Sequence, residues 1–265
     1  MYLIFDTETT GLPKRWEAPI TDTNNWPRCV QIAWQLHDGM GRIIEHQDYL
    51  IKPEGYNIPY DAERIHGIST ELALEQGIAL QEVLEKFNIA LSKTKFIVGQ
   101  NLGFDINIMG CELHRMGIDS PMSSMPILDT CTEVTASLLK LPGGRGGKFK
   151  LPTLTELHQY LFHVPFSEAH NATADVEATT RCFLELIRLE IFTKEELNVD
   201  ASYLEAFQNK NPKPIQSIGL THVNLKEASE KIRQTQGDNQ TAPISKKELS
   251  ENKQLLVDVD FVHLH

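Results

Sequence analysis

The chain opens on an apolar run, Tyr2-Leu3-Ile4-Phe5, which meets Asp6 at once and passes through polar residues to Gly11. β-Formers stopped by polar residues and glycine predict a buried strand that ends by presenting a carboxylate at the sheet edge. Residues 29–37 (CVQIAWQLH) and 43–51 (IIEHQDYLI) read as two further strands, joined by the turn DGMG into an antiparallel hairpin. The period then turns helical. Leu80, Val83, Leu84, Phe87 and Leu91 share one helix face, and a short buried strand, Lys95 to Val98, follows. Residues 102–116 read as helix and Met125 to Asp129 as a strand. The segments 153–162 and 172–191 close the domain as helices, the last carrying Cys182, Phe183, Leu186, Ile187 and Ile191. A meander followed by alternating helices and strands implies an α/β fold, a mixed five-stranded sheet covered by helices.

That pattern defines one domain over residues 1–195. Beyond Glu196 it weakens into NKNPKP and then an Asn, Gln, Lys and Ser-rich run from Ser229 to Lys253. Residues 196–255 read as a largely irregular linker with one short helix.

Composition narrows the class. With 265 residues, 41% of them hydrophobic, the chain can bury one substantial core with length to spare. The apolar start lacks a basic leader and a small-residue cleavage site, and no segment approaches the roughly 18 apolar residues of a membrane span. Cys29, Cys111, Cys131 and Cys182 show no CxxC spacing, which argues against a disulfide framework or a zinc knuckle. These features predict a soluble, reduced, cytoplasmic protein with no membrane partner. The net charge of -11 is unfavourable for holding phosphates, and it sits in the folded part: residues 1–195 carry 17 Lys and Arg against 26 Asp and Glu. Within that acidic background, LPGGRGGKFK gathers Arg145, Lys148 and Lys150 just after Lys140. It reads either as a mobile basic loop beside an acidic site or as a solvated surface loop.

In Asp6-Thr7-Glu8, alternation along an extended chain puts both carboxylates on the same side. Hard divalent ions such as Mg2+ and Mn2+ choose carboxylate and water ligands, so the pair suggests a metal seat, although single DxE pairs are common on solvated strand ends. Asp105, in GQNLGFD, lies near the start of a predicted helix, where an acid also favours the helix dipole. Asp175 begins the long final helix, and His170, five positions earlier in AHNATAD, belongs to the loop entering it.

Taken in order, FDTETTGL, NLGFD and HNATAD resemble the three motifs of the DEDDh 3′→5′ exonuclease superfamily, over residues 1 to about 195. VQIAW, the HGIS at His66 to Ser69 and LPTLTELHQYLF at 151–162 are similar to their counterparts in bacterial proofreading exonucleases of DNA polymerase III. The resemblance implies an RNase H-like fold and a site for two divalent cations, Mg2+ or Mn2+. Asp6, Glu8 and Asp175 would hold one ion and Asp6 would bridge to the second, with Asp105 holding that ion directly or through water. His170 would be the general base, its unperturbed pKa of about 6.5 suiting proton removal near neutral pH. The 3′ terminus of DNA would be seated by Thr9, Thr10, Gly11 and Leu12, with Leu12 wedged under the terminal base and Gly11 allowing close backbone approach. His66 and Phe104 would pack against the terminal nucleotides, and Lys148 is a candidate phosphate contact. Core packing is the competing reading for Leu12 and Phe104. The stretch from Pro13 to Arg28 is long for this position and reads as an added lip.

Two other functions fit parts of the pattern. Ribonuclease T and oligoribonuclease share the motifs and act on RNA, and an exonuclease fold without a working site can serve as a structural tether in a polymerase assembly. All four carboxylates and the histidine are present, which disfavours the tether. The final residues, LLVDVDFVHLH, place His263 and His265 on one side of an extended chain. FVHLH resembles the first motif of the polymerase and histidinol phosphatase domain that opens bacterial polymerase α subunits. Residues 256–265 are therefore expected to begin a following domain, with a DNA polymerase III α subunit fused to or bound by the exonuclease.

Overall fold

The computed structural model describes residues 1–164, 171–215 and 224–239. Its centre is a five-stranded sheet in the order β3-β2-β1-β4-β5, with β1 Tyr2–Thr9, β2 Cys29–His37, β3 Ile43–Leu50, β4 Phe96–Gly99 and β5 Ile127–Asp129. β1, β2 and β3 form the expected antiparallel meander, while β4 joins β1 and β5 joins β4 in parallel. Nine α-helices accompany the sheet among the described residues: α1 Tyr60–His66, α2 Thr70–Gln76, α3 Leu80–Ser92, α4 Gly103–Met116, α5 Glu133–Leu139, α6 Leu154–Phe162, α7 Ala172–Arg188, α8 Ala201–Lys210 and α9 Leu225–Asn239.

β1 lies at the middle of the sheet and is covered on both faces, which explains its unbroken apolar start. Leu3 and Phe5 enter a core built with Val83, Phe87 and Leu91 of α3 and Ile108 and Met109 of α4. Tyr2 and Ile4 enter a second core with Leu157 of α6 and Val176, Phe183 and Ile187 of α7. The strand's parity therefore assigns odd positions to the α3/α4 side and even positions to the α7 side. Phe183 is fully buried and stacks edge-on to Tyr2 at 5.0 Å between centroids.

Local chemistry sets the helix starts. Asn171 caps α7 by accepting from the Thr173 and Ala174 amides at 3.1 and 3.3 Å. Thr153 and Glu156 form a reciprocal capping box on α6.

The region read as a largely irregular linker departs from that expectation, because two helices of it pack on the domain. Phe207 of α8 is buried in the second core, and the Tyr203 hydroxyl meets that of Tyr2 at 2.9 Å. Leu225 and Ile232 of α9 join Ile68 and Leu72 in a third core. Ser229 donates to the Gly67 carbonyl at 2.6 Å and accepts from the Ser69 amide at 3.1 Å. These helices hide in the sequence because each buries a narrow stripe within a polar composition. Residues 256–265 lie outside the described residues.

Candidate active site

Parity along β1 builds the site. Asp6 and Glu8 follow Tyr2 and Ile4 toward α7, and Asp175 stands in the first turn of that helix. One carboxylate oxygen from each of the three lies within 4.8 Å of the others. Thr7, between them, follows Leu3 and Phe5 toward α4 and there meets Asp105. The Asp105 Oδ1 accepts from the Thr7 amide at 3.0 Å and from its hydroxyl at 2.6 Å. One tripeptide thus touches both helices, with its two acids on one side and the link to the fourth acid on the other.

Neighbours without chemistry of their own position these groups. Gln31, the register partner of Glu8 on β2, accepts from the Ala172 amide at 3.3 Å and donates to Asp48 Oδ1 at 2.8 Å. The Asp48 Oδ2 accepts from the Thr173 hydroxyl at 2.6 Å. The first turn of α7 is thereby fastened to β2 and β3, beside Glu8. Asp129 does the same for α4: its carboxylate accepts from the amides of Asn101, Leu102 and Cys131 at 2.9, 2.9 and 2.7 Å. It fixes the loop in which Asn101 takes a left-handed conformation, φ +57°, before the helix that carries Asp105. Thr7, Gln31, Asp48 and Asp129 escape sequence reasoning, since a supporting hydrogen bond to a residue far along the chain leaves no local pattern.

The electrostatics are those of crowded like charges. Burial, then the charges of Asp105, Asp175 and Glu8, push Asp6 well above the usual carboxylate range. Burial, then Asp175 and Asp105, push Glu8 up to about 8. Asp105 is raised by burial to about 7 even though the Thr7 hydrogen bonds pull it down. Three carboxylates converging at this spacing, all oxygen donors, fit a hard divalent cation such as Mg2+ or Mn2+. His170 lies outside the described residues.

The predicted end-binding residues continue directly from β1. The Thr9 hydroxyl donates to the Gly11 carbonyl at 2.7 Å, and the Thr10 amide donates to the Arg28 carbonyl at 2.9 Å while the Thr10 hydroxyl accepts from the Arg28 amide at 3.0 Å. Gly11 has φ +144°, a conformation side chains rarely adopt, and Leu12 is 73% exposed, so Leu12 is not a core residue. Phe104, half-buried, packs on the first core and meets Trp16 at 5.8 Å between centroids. His66 is buried at the end of α1, its Nδ1 accepting from the Ile68 amide at 3.1 Å. Lys148 is exposed and pairs with Glu133 of α5, and Lys150 pairs with Glu156 at 2.6 Å. The segment joining α5 to α6 thus resembles a solvated, locally paired loop more than a free basic patch. Exposed pairs of this kind are worth about 0–1 kcal/mol, so either lysine can be drawn away at little cost.

The stretch from Pro13 to Arg28 is an ordered lip laid along α4. Trp16 rests by Phe104 at the start of that helix, and a side chain at Gly110 would press on Ile20. Near the helix end, Arg115 donates to the Thr23 and Trp26 carbonyls at 2.6 and 2.7 Å. Within the lip, Asn25 and Arg15 exchange two hydrogen bonds at 2.8 and 2.9 Å. At its base the fully buried Glu112 of α4 sits between Arg28 and Arg115, at 2.9 and 3.1 Å, and accepts from the Cys29 amide.

Comparison with known proteins agrees with this geometry. The Exonuclease family profile matches residues 3–183. The chain is 30% identical over 187 residues to the 3′-5′ exonuclease DinG of Bacillus subtilis, covering 70% of this chain and 17% of that protein. It is 28% identical over 233 residues to the PolC-type DNA polymerase III of Lactococcus lactis, covering 85% of this chain and 13% of the relative. The chain therefore spans less than a fifth of the length of either relative. Among solved structures, E. coli Exonuclease I in complex with a dA16 oligonucleotide aligns with a TM-score of 0.55 at 21% identity, over 74% of this chain and 42% of that one. That likeness identifies the fold as RNase H-like, the architecture expected from the motifs. Asp6, Glu8, Asp105 and Asp175 all lie within the matched span, and the chain belongs to the exonuclease family.

Proposed function

We propose that this chain is a 3′→5′ exonuclease of DNA ends that depends on Mg2+ or Mn2+ and serves proofreading beside a replicative polymerase. The observation that carries the reading is the convergence of Asp6, Glu8 and Asp175 oxygens within 4.8 Å, with Asp105 tied to the same tripeptide through Thr7. Asp6, Glu8 and Asp175 would hold a divalent cation, with Asp105 contributing to a second. Such ions supply Lewis-acid stabilisation of charge on a phosphate and favour deprotonated water. The protein's own part is geometric. β1 holds two carboxylates at fixed spacing, Gln31 and Asp48 hold α7 against them, and the Thr7 hydrogen bonds orient Asp105. His170 is the proposed proton acceptor near neutral pH. Thr9 to Leu12 would seat the terminal nucleotide, with Leu12 free of the core to lie under its base. His66 and Phe104 are proposed to line the terminal nucleotides, and Lys148 to approach a phosphate once released from Glu133.

DNA as substrate is favoured by the relatives named as DNA polymerase III. The same likeness supports a polymerase α subunit as partner, fused or bound. Tethering would raise the local concentration at a primer end to the millimolar range, so an acidic chain with weak intrinsic affinity would suffice. The test is release of mononucleotides from a single-stranded DNA oligomer and from RNA of equal sequence, with Mg2+, Mn2+ or chelator. Metal-dependent release from the DNA 3′ end is expected. Faster release from RNA would replace the DNA reading with the ribonuclease one, and no release from either would leave the tether.

A further inference from the structure

The lip presents four consecutive exposed residues, Lys14, Arg15, Trp16 and Glu17, so two cations precede the indole and one acid follows it, in a chain of net charge -11. Trp16 is 55% exposed although Phe104, the residue before Asp105, stands 5.8 Å away. A large indole half in water is costly to leave uncovered, and this one is held in place. The hydrogen bonds between Arg15 and Asn25 fix the backbone next to it, and Arg115 clamps the returning segment of the lip at Thr23 and Trp26. A rigid aromatic face with two cations on its N-terminal side is a combination that binds a single strand, with base stacking on the ring and phosphates on the charges. The other two tryptophans, Trp26 and Trp34, are buried and carry no such face.

We infer that Trp16 is a base-stacking subsite for the DNA strand leading into the carboxylate site, with Lys14 and Arg15 contacting its phosphates. This rests on the proposed nuclease reading and extends it. The terminal nucleotide belongs to the residues after β1, and the lip takes a nucleotide upstream of it. The ordering cost of the lip is met within the fold, so stacking on Trp16 adds affinity without a loop having to close. Arg15 lies 3.4 Å from Asp22, an exposed pair that a phosphate can displace.

The experiment titrates the chain with single-stranded dT8 in Ca2+, following tryptophan emission, and assays hydrolysis of the same oligomer in Mg2+ and Mn2+ in parallel. Saturable quenching is expected in the parent. Trp16→Phe should lose that quenching while still binding, and Trp16→Ala should weaken Kd roughly 5- to 100-fold with an unchanged melting temperature. Replacing Lys14 and Arg15 together by Gln should flatten the slope of log Kd against log salt by about 1.4, the value for two phosphates of a single strand. Hydrolysis by the parent together with parent-like affinity in Trp16→Ala, or quenching that persists in Trp16→Phe, overturns the subsite and leaves the nuclease. Absence of hydrolysis with both metals overturns the nuclease reading, and the subsite falls with it.

Discussion

Glu112 on α4 is fully buried and the pair Asp6 and Glu8 on β1 is partly buried in the same domain, yet their charged surroundings differ. Glu112 lies between the guanidiniums of Arg28 and Arg115 and accepts a backbone amide, and Arg28 is itself covered by the Tyr56 ring at 4.4 Å. That site is closed: the chain supplies every charge it needs, and the product is a fixed lip. Among the described residues, the charged neighbours that act on Asp6 and Glu8 are carboxylates. Burying like charges together costs stability unless a cation joins them. Carrying that cost at β1 is consistent with the proposed cation site, whereas the Glu112 network is a structural tie.

Substitution should separate the two clusters most visibly. Asp6→Asn or Asp175→Asn should lower metal-dependent hydrolysis by at least about 10³-fold, several kcal/mol of transition-state stabilisation. Metal-free stability should hold or rise. Activity within tenfold of the parent in either variant would remove the metal assignment. Glu112→Ala should do the reverse in kind, costing about 3–5 kcal/mol in urea unfolding because two guanidiniums lose their partner. A loss under 1 kcal/mol would mean the network is not the tie described. Thr7→Val, which keeps the amide but removes the 2.6 Å hydroxyl bond, should reduce turnover roughly 10- to 100-fold, from the 1.5–3 kcal/mol typical of a hydrogen bond to a charged group. An unchanged kcat would show that Asp105 is oriented without it. The smallest effect concerns pH. Glu8 is raised to about 8 from 4.5, and Asp6 is raised with it. Between about 4.5 and 8 the folded chain therefore holds protons that the unfolded chain releases, so stability falls as pH rises through that window. Thermal melts in chelator from pH 5.5 to 8.5 should show a declining melting temperature, and a rising one would contradict the crowding of charge.

How much of this was readable beforehand follows from range along the chain. The strands and α3, α4, α6 and α7 carry a period over several turns or a solid apolar run, and they lie where the pattern puts them. α1, α2 and α5, seven residues each, are too short for a period to emerge. α8 and α9 bury only a few apolar side chains among many polar ones. In the site, Asp6 and Glu8 are legible because strand parity is local, and Asp105 and Asp175 because each begins a helix. Their support is not legible: Thr7 meets Asp105 98 positions away, and Gln31 meets Ala172 141 positions away. The lip's length stands out in the sequence, but its purchase on Arg115 and Glu112 is visible only in three dimensions.

On the proposed function, a bound divalent cation completes the β1 cluster. The most direct test is a thermal titration with Mn2+ of the parent, Asp6→Asn and Glu112→Gln. At about 100 times Kd, binding to the folded state adds about 2.7 kcal/mol, which for a chain of this size raises the melting temperature by about 5–10 °C. That rise is expected for the parent and for Glu112→Gln, whose lower starting point does not touch the cluster, and almost none for Asp6→Asn. An equal rise in Asp6→Asn, or no rise in the parent, would contradict the proposed cation site.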